Sequence, residues 1–222
     1  MRFDDARAAG RALAAGLAAH GGREDALVLA LARGGVGVGF EVSKLLGLPL
    51  DLVSLRRLLV TRGAGEPACA ASVAGAPFLD EEVQSAVAAS ANAGGASDAA
   101  LGRFIKDALA EFEASARACR GGRAALELSG KTVILVDNGV RTGSTMLAAV
   151  RAVRSRSPAR VVAAAPVADA AARAAVASAV EEFVCLATPE PFGHVGLWYA
   201  NFRRPPDDEI RAMLGERMKD EG

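Results

Sequence analysis

The stretch KTVILVDNGVRTGSTMLAAV, from Lys131 to Val150, constrains the chain more than any other segment. Thr132 to Val136 is a short, uninterrupted apolar run, the pattern of a strand covered on both faces of a sheet. Asp137 follows at the strand's carboxyl end, then a turn of small residues, then a helical pattern opening near Ser144. A strand running through such a turn into a helix collects several backbone N–H groups and the positive end of a helix dipole at one spot, and the hydroxyls of Thr142, Ser144 and Thr145 join them. An anion is expected there. Asp137, just before that cradle, is placed to accept hydrogen bonds from hydroxyls, as a sugar carrying a phosphate offers. A triphosphatase loop would need Lys before its final Ser or Thr, and Gly143 stands in that place.

The flanking sequence supplies a sheet to carry this unit. Asp4 or Asp5 caps a first helix running to Leu17, which His20-Gly21-Gly22 ends. Leu27 to Leu31 reads as a second buried strand, leading through Ala32-Arg33-Gly34-Gly35-Val36-Gly37-Val38-Gly39 into a helix that ends at Gly47. Leu50 to Leu55 is the next strand, delivering Arg56 and Arg57 at its end. Between Leu59 and Pro77 the glycines and prolines suggest a mobile loop with a short hairpin, and Ala86 to Ser97 has no clear period. Leu101 to Cys119 reads as a helix, Arg160 to Ala165 and Glu182 to Leu186 as strands, and Asp169 to about Val180 as the helix between those strands. Alternating strands and helices imply an α/β fold, a doubly wound and mostly parallel central sheet flanked by helices. Ligands of such sheets sit beyond the carboxyl ends of the strands, where Arg33, Arg57 and Asp137 emerge.

Composition fits one domain: 222 residues, 51% apolar but only 5% aromatic, a core of Val, Leu, Ile and Ala. Residues 59–120 are expected to form a flexible loop and helical insertion, and 187–222 a tail or hood. Basic and acidic residues balance at 26 each, so no global field favours nucleic acid or an anionic membrane, and any anion site must be local. Asp4 and Asp5 stand where a secretory signal would be basic, and Pro166, Asp169 and Arg173 interrupt the Ala-rich run from Val161 to Val180. A cytoplasmic protein is expected. Cys69, Cys119 and Cys185 lack metal-ligand spacing, so no protein metal site is expected.

VILVDNGVRTGSTM resembles the phosphoribosyl pyrophosphate motif of type I phosphoribosyltransferases: apolar strand, acidic pair, variable positions, then a T-G-[GS]-T loop. The resemblance implies Mg²⁺-dependent transfer of a 5-phosphoribosyl group to a nitrogenous base or similar acceptor, with inversion at the anomeric carbon and release of pyrophosphate. It implies a homodimer, and Mg²⁺ carried mainly by ligand oxygens and water. Asp137 and Asn138 would hold the ribose, and Gly139, Val140, Arg141, Thr142, Gly143, Ser144 and Thr145 the 5′-phosphate. Asn138 departs from the family, which carries a second acid at that position; this keeps open a protein that binds phosphoribosyl pyrophosphate or a nucleotide without turning it over.

Arg33-Gly34-Gly35 resembles the family's pyrophosphate loop, with Arg56 or Arg57 assisting. As a dinucleotide fingerprint the same turn fails, because Phe40 stands where the third glycine belongs. Trp198 and Tyr199, the only Trp and Tyr, could stack on an acceptor base or simply anchor the tail, and His194 is a weaker candidate base. Arg141 replaces the acid with which related enzymes engage a 6-oxopurine, which disfavours that acceptor class.

Overall fold

Runs of β-branched and aliphatic residues that leave no polar face can be stable only between two layers of helix. In the computed structural model, described for residues 1–31, 33–58, 68–73, 76–79, 103, 107, 110, 111, 114 and 116–217, those runs become strands of one sheet. They are β1 (Ala26–Leu31), β2 (Leu50–Leu58), β3 (Ala68–Val73), β4 (Ala76–Leu79), β5 (Thr132–Val136), β6 (Arg160–Val167) and β7 (Glu182–Ala187), in the order β4-β3-β2-β1-β5-β6-β7. The strands β2, β1, β5, β6 and β7 are parallel, and β3 and β4 extend that sheet antiparallel at one edge.

Alternate residues of each strand face opposite layers. Val28, Ala30, Ile134, Val136, Val162 and Ala164 pack under α1 (Ala6–Gly16), α2 (Val36–Leu46) and the C-terminal helix. Leu27, Leu29, Val133, Leu135, Val161 and Ala163 pack under α3 (Ser144–Arg154) and α4 (Ala170–Ala177). The C-terminal helix is α5 (Asp207–Arg217), whose Ile210, Met213 and Leu214 complete the first layer. Asp5 caps α1 by accepting from the Ala8 N–H at 2.7 Å, and Asp169 caps α4 through the Ala171 and Ala172 N–H groups. Gly10 sets the approach of α1 to α2, since a Cβ there would lie 2.6 Å from the Val38 carbonyl oxygen. Among the described residues no helix is long and apolar enough to cross a membrane.

Two expectations are corrected by the sheet. The strand expected to stop at Leu55 runs to Leu58, because its second half leaves the parallel partner and pairs with β3, Arg56 opposite Ala70 and Arg57 opposite Cys69. Both arginines therefore lie within a strand, not beyond one, and their side chains fall outside the described residues. The short hairpin expected before Pro77 is β3 with β4, and β4 carries on through Pro77 to Leu79. Residues 59–67 and 86–97 lie outside the description; of the expected helix at 101–119, residues 103, 107, 110, 111, 114 and 116–119 are described, and all are helical.

One buried ion pair ties the segment before β5 beneath the sheet. Asp51 is wholly buried and Arg120 nearly so; Arg120 Nε donates to Asp51 Oδ1 at 2.7 Å, and the Leu52 and Leu126 N–H groups donate to the same carboxylate. Removing the carboxylate leaves a buried guanidinium and two backbone donors short of a partner. Asp51→Ala is expected to destabilise the fold by about 3–5 kcal/mol in chemical denaturation, the cost of an uncompensated buried charge; a loss below about 1 kcal/mol would mean that water replaces the carboxylate there.

Candidate functional site

β1 and β5 are adjacent and parallel, Ala30 opposite Val136, so the turns that follow them leave the same sheet edge side by side. The contact between the turns is close. A Cβ on Gly35 would lie 2.5 Å from the Val136 carbonyl oxygen and 3.0 Å from the Asp137 Cα, and one on Gly34 would lie 2.7 Å from the Asn138 Nδ2. Only glycine lets the first turn cross the end of β5 at that distance. The turns read separately from the sequence thus form one edge.

Beyond Asp137 the chain wraps a cavity of about 110 Å³, lined by Asp137, Gly139, Val140, Arg141, Thr142, Gly143 and Thr145, with Met146 and Val195 as apolar walls. Val140 is pinned as a one-residue extension of the sheet: its N–H donates to the Val167 carbonyl and its carbonyl accepts from the Asp169 N–H. Gly143, at φ +80°, turns the chain into α3 and caps it without a side-chain bond, so the helix's positive end opens at the cavity. Ser144 does not line the cavity; its hydroxyl lies 3.0 Å from that of Thr142. Arg141 is exposed at the wall.

Among the described residues Asp137 is the one carboxylate lining the cavity. It keeps part of its surface there, but the surrounding protein desolvates it and pushes its pKa up to about 7, against the smaller opposing effect of the Asn138 N–H, which donates to Oδ1 at 2.8 Å. Asn138 is not part of the cavity lining, and its amide lies over Gly34. The two residues expected to share the ribose hydroxyls therefore face different neighbours.

Arg33 is exposed at the outer end of the first turn, engaged in a two-point ion pair with Asp207 at the start of α5, where Nη2 donates to Oδ2 at 3.2 Å and Nη1 meets Oδ1. Tyr199 is buried, tilted against Phe3 and Phe202, and its hydroxyl donates to the Asn138 carbonyl at 2.5 Å. Trp198 packs on Phe192 and donates its indole N–H to the Phe192 carbonyl. Both rings are thus engaged in holding the tail, and His194 is exposed. Val195 and Asp207 entered the site without notice from the sequence. The run Asp207-Asp208-Glu209 at the start of α5 is the kind of acidic first turn that marks a helix start, but nothing local announces a pairing with a residue 174 positions away.

The phosphoribosyl transferase domain family matches residues 76–196, more than half of the chain and including the whole cavity turn. The chain belongs to this family. Among curated phosphoribosyl transferase relatives, two Mycobacterium tuberculosis proteins, "Putative phosphoribosyl transferase MT0597" of strain CDC 1551 / Oshkosh and "Putative phosphoribosyl transferase Rv0571c" of strain ATCC 25618 / H37Rv, are each 36% identical to it over 98% of its length. The match takes in 47% of each of those proteins, so the chain spans about half the length of these curated relatives. The crystal structure of TT1426 from Thermus thermophilus superposes with a TM-score of 0.78 at 33% identity, covering 98% of this chain and 99% of that one.

In this phosphoribosyl transferase fold the raised pKa of Asp137 is also a stability statement. A carboxyl whose folded pKa lies above its unfolded value favours folding when protonated, and that contribution is lost as pH rises from about 4 to about 7. Asp137→Asn is therefore expected to raise thermal stability, by little at pH 4 and by roughly 1–3 kcal/mol above pH 7.5, measured by calorimetric unfolding across that range. A gain that is the same at both ends would mean that the carboxyl is not desolvated.

Proposed function

We propose that this chain transfers the 5-phosphoribosyl group of phosphoribosyl pyrophosphate to a nitrogenous base or similar acceptor, releasing pyrophosphate. The observation that carries the reading is the meeting of the two turns: a glycine turn carrying Arg33 lies across the end of the strand that presents Asp137 and the Arg141–Thr145 cradle. A ligand with phosphate groups at both ends of a ribose fits one edge of that description. The 5′-phosphate lies in the cradle, held by backbone N–H groups, Thr142, Thr145 and Arg141; the ribose hydroxyls donate to Asp137; the pyrophosphate lies over Gly34 and Gly35, with Arg33 turning from Asp207 to meet it.

In the transfer, the bond from the anomeric carbon to the pyrophosphate oxygen breaks, its electron pair leaves with pyrophosphate, and an acceptor nitrogen bonds the opposite face and loses its proton. The sugar becomes oxocarbenium-like on the way, and ionised Asp137 in a partly enclosed site favours that charge. When bound, Mg²⁺ would be held by ligand oxygens and water and would supply positive charge beside the pyrophosphate; Asp137, the one carboxylate lining the cavity among the described residues, suits an ion carried in on the ligand. The family kinship supports a homodimer acting in the cytoplasm on the same terms as the activity itself. A second reading, a protein that senses phosphoribosyl pyrophosphate or a nucleotide without transfer, is favoured by one observation: the neutral Asn138, whose amide lies outside the cavity.

Calorimetric titration with phosphoribosyl pyrophosphate and Mg²⁺ tests the site, and pyrophosphate release with a panel of bases tests the transfer. Saturable, Mg²⁺-dependent binding is expected, weakened in Thr142→Ala by roughly 1–3 kcal/mol as a charged acceptor loses one donor. No binding would remove the proposal, and binding without release with any base would favour the sensing role. Because Arg33 must exchange partners, Asp207→Asn is expected to tighten binding of inorganic pyrophosphate by roughly two- to fivefold, the scale of one exposed ion pair. Ribose 5-phosphate, which lacks the pyrophosphate group, should bind the variant and the unaltered chain alike.

A further inference from the structure

Tyr199 lies 61 positions from Asn138, yet its hydroxyl reaches the Asn138 carbonyl. The tail is brought there by main-chain pairing with the N-terminus: the Phe3 N–H donates to the Trp198 carbonyl, and the Ala200 N–H to the Phe3 carbonyl. Phe3 on one side and Phe202 on the other, at ring separations of 5.8 and 5.3 Å, then fix the direction of the phenol. Asn138 is consequently held through the peptide on each side of its Cα. Its carbonyl takes the Tyr199 hydroxyl, and its N–H donates to Asp137 Oδ1 at 2.8 Å. Among the described residues that N–H is the one recorded donor to the Asp137 carboxylate.

We infer that Tyr199 is a positioning residue for Asp137, acting through the backbone of Asn138: the phenol holds the Asn138 carbonyl and so restrains the residue whose N–H, in the preceding peptide, holds Oδ1, and the other carboxylate oxygen is left for ligand hydroxyls. Tyr199 thereby has a function on the ribose side of the site beyond anchoring the tail. Its relevance to ligand binding rests on the phosphoribosyl reading; its effect on the carboxylate does not. The phenol suits the task because burial, and to a smaller degree the nearby Asp137 charge, push its pKa far above the ordinary tyrosine value, so it stays a donor at any physiological pH.

The titration of Asp137 reports this arrangement. The groups around it are Tyr199 from the tail, Arg141 on the cavity wall, and Arg33 on the adjoining turn, which is paired with Asp207; the end of β6 and the first turn of α3 present Ala164, Val167, Thr145 and Met146, none of them charged. Losing the phenol frees the Asn138 carbonyl, loosens the backbone at that residue, and so weakens its N–H bond to Oδ1 and disfavours the ionised carboxylate further.

The test follows the Asp137 carboxyl by carbon-13 NMR in the ligand-free chain, for the unaltered protein, Tyr199→Phe and Phe202→Leu. Tyr199→Phe keeps the ring and should move the midpoint upward from about 7 by about half a unit or more. Phe202→Leu loosens the packing but keeps the hydroxyl, and should lower the melting temperature with the midpoint in place. Below pH 7, ribose 5-phosphate should bind Tyr199→Phe about three- to tenfold more weakly, the difference narrowing above pH 8 where both carboxyls are ionised. Tyr199 is the chain's only tyrosine, so fluorotyrosine incorporation marks it alone. Its fluorine signal should follow the Asp137 midpoint and lose that step in Asp137→Asn, a readout that does not depend on the Phe variant folding. A midpoint unmoved in Tyr199→Phe, or a fluorine signal indifferent to Asp137, overturns the inference. Absence of ribose 5-phosphate binding to the unaltered chain instead overturns the phosphoribosyl reading, and the carboxyl titration still judges the role of Tyr199.

Discussion

The passage of Gly35 across the end of β5 is the constraint on which the rest of the site depends. Within 3.0 Å of where its Cβ would stand are the last carbonyls of two neighbouring strands, at Leu31 and Val136, and the Cα of Asp137. Any side chain there would push the first turn off the sheet edge and separate the arginine-bearing turn from the cradle. The parallel pairing of β1 with β5 brings the turns to the same edge, but pairing alone leaves room for a gap of several ångströms. The glycine removes the gap. It also walls in Asp137, so the closeness that assembles the site helps to desolvate its carboxyl.

That desolvation explains why the tail belongs to the site. A carboxyl displaced to about 7 is not held by a strong ion pair, and the only polar hold recorded on it among the described residues is a neighbouring backbone N–H. Backbone donors hold a group only as firmly as their own peptide is held. Here the donor belongs to Asn138, in a glycine-containing turn. The fixing group comes from Tyr199, on a segment whose own place depends on pairing with Phe3. The segments around Phe3 and Tyr199 are thus joined to the cavity edge, although among the described residues neither contributes a strand to the sheet.

The cradle was legible in the sequence because everything it needs is local. A strand, an acid, a glycine turn and a helix start occupy consecutive positions from Thr132 to Thr145, and each residue's preference agrees with its neighbours'. The parallel sheet was legible for the same reason, since its strands are uninterrupted apolar runs. What escaped depends on distant partners. β2 runs past Leu55 because β3 lies beside it, which no preference of Arg56 or Arg57 announces. Tyr199 reads as a ring that stacks on a base or anchors the tail until Asn138 is found against its hydroxyl, and Arg33 reads as the cation of a glycine turn until Asp207 is found beside it.

The altered acid at position 138 gains a physical reason from this geometry. A carboxylate in place of the Asn138 amide would add a second negative charge next in sequence to Asp137, in an edge that already disfavours one. It would also stand over Gly34, where an incoming pyrophosphate would meet it. The amide removes both repulsions and offers a donor toward that turn. On the proposed reading Asp137, the one carboxylate lining the cavity among the described residues, would answer positive charge on the sugar, which makes its protonation state, and hence the Asn138 backbone and the phenol beside it, the point at which this site is most easily tuned.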